Sequence, residues 1–86
     1  MYEALQPVVA DLVGFEATLN SPTRHVRVAR LTSALDATAQ EMSDRLAGST
    51  AERERVHLQT LYRGLVAASR IVQRLSDLKV EAGEEL

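Results

Sequence analysis

Two histidines, His25 and His57, are the side chains in this sequence best suited to hold a metal or move a proton. They lie far apart, and neither belongs to an H-E-x-x-H arrangement, which sets two ligands four residues apart on one helix face. Without cysteine there is no disulfide, thiolate metal site or thiol nucleophile. No G-x-S-x-G elbow and no glycine-rich phosphate loop occurs. Glu41, Glu52 and Glu54 could pair for acid–base work, but they sit near a turn with no pocket to desolvate them. The expectation is a non-enzymatic chain with no catalytic residue, no metal site, no cofactor and no small-molecule substrate.

Arg24, Arg27 and Arg30, with His25 among them, form a small basic patch. The whole chain has 10 Lys+Arg against 12 Asp+Glu, a net charge of −2. That balance argues against a dedicated nucleic-acid binder. Single-strand binding usually adds aromatic stacking, and Tyr2, Phe15 and Tyr62 lie away from the patch in sequence. No apolar run approaches the roughly 18 residues of a membrane span. Met1 to Val9 contain Glu3 and no Lys or Arg, unlike a secretory leader.

The elements that would carry these residues are helical. The chain of 86 residues is 45% apolar but only 3% aromatic, and Ala, Leu, Val, Glu and Arg dominate. Such a chain supports one small domain, 1–86. The punctuation predicts helices over about 4–19, 22–47 and 50–80. Ser21 reads as an N-cap with Pro22 at the first helical position. Gly48 reads as the left-handed residue closing the second helix. Ser49 to Glu52 matches a capping box for the third, and Gly83 reads as its end, with Glu84–Leu86 frayed.

Leu5, Val8, Val9, Leu12, Phe15 and Leu19 share one face of the first segment. Val28, Leu31, Leu35, Thr38/Ala39, Met42 and Leu46 recur at steps of three and four along the second. Leu58, Leu61, Leu65, Ala68, Val72 and Leu75 do so along the third. Both are coiled-coil-like seams, and a link as short as Ala47–Ser49 forces the two long helices antiparallel. The predicted fold is all-α: an antiparallel hairpin with a shorter N-terminal helix, or a small three-helix bundle. The second helix is basic at its start and acidic at its end (Asp36, Glu41, Asp44), which opposes its dipole. Arg53 and Arg55 at the turn, and Asp77 and Glu81 at the open end, suggest charge pairing between the long helices that selects register. A solvated charged face is the alternative.

The third helix carries more apolar surface than one neighbour covers. Beside its seam run Thr60, Gly64, Ala67, Ile71 and Leu78, with Val80 at the border. Gly64 costs about 1 kcal/mol inside a helix relative to Ala. The first helix is expected to cover part of this flank, leaving a remainder for another protein, and the small core raises the need for a partner to complete it.

The stretch Leu61–Val72, LYRGLVAASRIV, resembles the second hairpin helix of the small type III secretion co-chaperones, the YscE/EscE/SsaE-like family. The similarity spans about residues 28–80. It implies a bacterial cytoplasmic protein, a heterodimer with a tetratricopeptide-like chaperone, and a needle subunit held soluble by the pair. It implies no catalytic residue. It places the partner face at Leu61, Leu65, Ala68 and Val72, flanked by Gly64, Ala67 and Ile71. The alternative keeps the fold and makes the chain a self-associating coiled coil, a homodimer or four-helix bundle. A secreted WXG-type hairpin fits less well, because the chain lacks Trp and has Ala47-Gly48-Ser49 at the turn.

Overall fold

The computed structural model describes residues 2–84, with side chains through Ala82. A 3-10 helix, Glu3–Val8, leads into two short helices, α1 (Val9–Val13) and α2 (Phe15–Leu19). Two long helices follow, α3 (Arg24–Gly48) and α4 (Glu52–Glu84). α3 and α4 pack antiparallel, and the N-terminal segment lies mainly against α3. The result is an all-α hairpin, a rod of 53 × 23 × 16 Å.

α3 is amphipathic as its spacing requires. Val28, Leu31, Ala34, Leu35, Thr38, Ala39 and Met42 are all buried. Burying a Leu or Met side chain fully contributes about 1.5–3 kcal/mol, so Leu31 and Met42, both with no exposed surface, anchor the hairpin. Thr38 is accommodated by donating its hydroxyl to Ala34 O at 2.8 Å.

α4 follows its predicted seam only part of the way. Leu58 and Val72 are buried and Leu61, Leu65 and Ala68 half-buried, but Leu75 is 40% exposed. Ser69 and Ser76 are buried instead. The reason is helical pitch. A strict seven-residue repeat drifts about 20° per heptad on a straight helix, whereas Ser76 stands about five whole turns beyond Leu58 and so faces the same way.

The turn also differs from expectation. Gly48 is the last residue of α3, no described glycine has a positive φ, and the chain leaves the helix at Ser49 in an extended conformation. Ser49 Oγ is buried without a hydrogen-bond partner, so its capping box does not form. Arg55 holds the turn instead: its Nη1 donates to Leu46 O at 3.1 Å, which also accepts the Ser49 N–H at 3.2 Å, and to Ser49 O at 3.0 Å. At the other end, Ser21 Oγ accepts the Thr23 N–H at 3.2 Å, as a cap would, but regular helix begins only at Arg24, past Pro22. α4 continues through Gly83 to Glu84, and the fraying expected at Glu85 and Leu86 falls outside the described residues.

The predicted first helix is broken twice. Pro7, inside the leading stretch, lacks the N–H of an α-helical ladder, and Glu3–Val8 is 3-10 helix. Gly14, at φ −97° and ψ 45°, separates α1 from α2. Of the expected apolar face only Val8 is buried; Leu5, Phe15 and Leu19 are half-buried, and Val9 and Leu12 are exposed. The charge pairs differ as well. The ion pairs among the described residues join Arg27 to Asp11, Arg45 to Glu41 and Arg74 to Glu81, and none bridges α3 and α4. Arg55 is engaged at the turn and Asp44 accepts from Gln40. The hairpin register therefore rests on the apolar seam.

Candidate protein-binding face

At 100° per residue, Leu75, Gly64, Ile71, Leu78 and Ala67 fall within an arc of about 80° on α4. All five are exposed: Ile71 by 58%, Leu78 by 42%, Leu75 by 40%, with Gly64 and Ala67 beside them. No charged residue lies inside that arc between Thr60 and Leu78. Arg63, Arg70 and Arg74 follow one border, while half-buried Leu61 and Ala68 follow the other, towards the core. A Cβ added at Gly64 would meet nothing within 4 Å. The helix cost of that glycine is thus not repaid by packing within the chain.

The seven residues singled out in the sequence divide accordingly. Gly64, Ala67 and Ile71 are at the surface. Leu61, Leu65 and Ala68 are half-buried, and Leu65 and Ala68 pack against the cluster of Val8, Val28, Leu31, Ala34, Leu35 and Val72. Val72, 5% exposed, belongs to the core itself. The N-terminal segment does not cover the flank; it lies along α3 and reaches the core edge with Leu5, Val8 and Phe15. Leu75 was legible as apolar but not as exposed, because the seam pattern assigned it inward.

Two other places complete the surface. A groove of about 640 Å³ between the 3-10 helix and α3 is lined by Ala4, Pro7, Val26, Ala29 and Ala34, with His25, Arg30 and Ser33. A smaller one between α3 and α4 is lined by Thr32, Asp36, Val66, Ser69, Arg70 and Gln73. His25 and His57 are both exposed, near opposite ends of the rod. Among the described residues no group of three or more His, Cys, Asp or Glu is placed to hold a metal ion. No described helix is long and apolar enough to cross a membrane.

The strongest polar contact ties the N-terminal segment down. Arg27 Nε donates to Asp11 Oδ1 at 3.1 Å, and Nη2 donates to the same oxygen. These bonds, reinforced by the guanidinium charge, hold the Asp11 carboxyl below the ordinary carboxylate range against the opposing effect of burial. Thr18, fully buried, donates its hydroxyl to Asp11 O at 2.9 Å.

The arrangement offers an apolar stripe with small residues beside branched ones, a shape that admits a closely packed helix. The model of a protein family described as type III secretion system regulatory protein HrpD6 matches residues 2–78. No curated protein and no solved structure matches the chain.

Proposed function

The chain belongs to the HrpD6 family of type III secretion system regulatory proteins, and we propose that it acts in that system as a non-enzymatic binding module. In this reading the exposed arc of α4 docks a helical protein. The single observation that supports it most is Gly64: a helix-weakening residue facing open space, on the same stripe as exposed Ile71, Leu75 and Leu78. Monomeric surfaces rarely keep contiguous apolar patches without a use. The finer proposal is a co-chaperone role like that of the YscE-like proteins. The chain would pair in the bacterial cytoplasm with a tetratricopeptide-like chaperone and help hold a needle subunit soluble. Gly64, Ala67 and Ile71 would form the centre of the contact, Leu61, Leu65 and Ala68 its inner margin, with Val72 supporting it from beneath.

Co-expression with tetratricopeptide-type proteins from the same source tests this, with Ala67→Trp and Ile71→Asp as probes. Both variants should keep their helical circular dichroism and lose the copurifying partner. Overpacking at Ala67 should cost on the order of 1–3 kcal/mol of binding. Retained binding in both would remove α4 as the docking face. Self-association, the second reading, would show as a concentration-dependent dimer or tetramer disrupted by the same changes.

A further inference from the structure

We propose that the N-terminal segment, residues 3–19, is a displaceable strap pinned at Asp11, whose release extends the α4 docking face onto Leu65, Ala68 and Val72. The extension rests on the reading of α4 as a docking face; the strap itself does not.

The strap lies where such an extension would go. Val8, with Leu5 and Phe15 beside it, shares one cluster with Val28, Leu31, Ala34 and Leu35 of α3 and with Val72, Leu65 and Ala68 of α4. Ala68 borders the exposed arc of α4, so the cluster that the strap joins lies next to it. Its own construction is weak. Val8 and Thr18 are its only buried residues, whereas Val9, Leu12 and Val13 are 47%, 42% and 83% exposed. The leading 3-10 stretch has six residues, longer than the three or four such helices usually sustain. α1 and α2 have five residues each, far below the length at which a helix is stable by itself.

Asp11 is the residue of this segment whose side chain ties it to α3. Asp11 receives both Arg27 bonds at its carboxylate and the Thr18 hydroxyl at its carbonyl. The Arg27 bonds are the ones that reach α3. A segment with so little burial sits at the low end of local stability and opens without unfolding the rest. α3 and α4, packed on each other along their length, retain Leu31, Leu35, Met42 and Leu58 as a core when the strap leaves.

Charge reversal tests the pin. Asp11→Arg and Arg27→Glu should each raise amide hydrogen exchange over residues 3–19 by about tenfold or more. Exchange in the middle of α3 and α4 should be unchanged, and the dye anilinonaphthalene sulfonate should bind the opened face. The double variant Asp11→Arg/Arg27→Glu should restore the wild-type exchange and low dye binding. Where a tetratricopeptide-type protein copurifies, the single variants should bind it severalfold more tightly. Unchanged exchange in the single variants would overturn the proposal, as would loss of helicity throughout α3 and α4. An opened strap with unchanged or weaker partner affinity would overturn the claim that it occludes the face. If the strap opens as described but Ile71→Asp leaves partner binding intact, the strap stands and the docking reading of α4 fails.

Discussion

α3 and α4 carry similar apolar spacings and meet different fates. α3 buries seven residues along its seam because it is flanked by α4 on one side and the N-terminal segment on the other. α4 has mainly α3, and it leaves Tyr62, Ile71, Leu75 and Leu78 between 40% and 58% exposed. Apolar periodicity identifies which residues seek burial; the number of neighbours decides which obtain it. What α4 leaves over is an exposed apolar arc.

The contrast is broken most severely at its buried end. Leu31→Ala should lose about 2–5 kcal/mol of stability in urea or thermal unfolding, since Leu31 has no exposed surface. Ile71→Ala should stay within about 0.5 kcal/mol of the wild type. Comparable losses at both positions would mean that α4 is covered on the side described as open.

Next in size is the turn that keeps the helices side by side. Arg55→Ala removes a charged donor from Leu46 O and Ser49 O and should cost about 1.5–3 kcal/mol. Arg53, exposed, is the control, and Arg53→Ala should be nearly neutral.

Much of this was legible in the residues. All the predicted seam positions of α3 are buried or half-buried, and the short link set the antiparallel hairpin. The parts that were not legible have physical causes. Leu75 and Ser76 exchange places because a 3.5-residue pattern was laid on a straight 3.6-residue helix. The glycine stop and serine cap at the turn gave way to Arg55, a contact across nine positions that no local motif announces. The breaks at Pro7 and Gly14 were written in the sequence, but an apolar face running across them read as one helix. Of the proposed face, exposed Gly64, Ala67 and Ile71 match the predicted flank, whereas Val72 shows that the seam and the surface are separate.

Smaller effects sharpen the same comparison. Gly64→Ala should raise stability by about 0.5–1 kcal/mol, because the new methyl meets nothing and the helix gains propensity. A destabilised Gly64→Ala would mean close packing at that site. The N-terminal anchor adds a pH dependence. Asp11 is held below its unfolded pKa chiefly by the Arg27 hydrogen bonds, so its contribution is complete above about pH 4 and is lost as pH falls through the lower folded value. Asp11→Asn should flatten that acid limb of the stability profile; an unchanged limb would place the acid sensitivity elsewhere.

The central claim, that the open arc of α4 is the docking face, is tested most directly by chemical-shift mapping of the labelled chain with and without its copurified partner. The account predicts the largest changes at Gly64, Ala67, Ile71, Leu75 and Leu78. Changes concentrated instead at Val26, Ala29 and Ser33, on the outer side of α3, would contradict it.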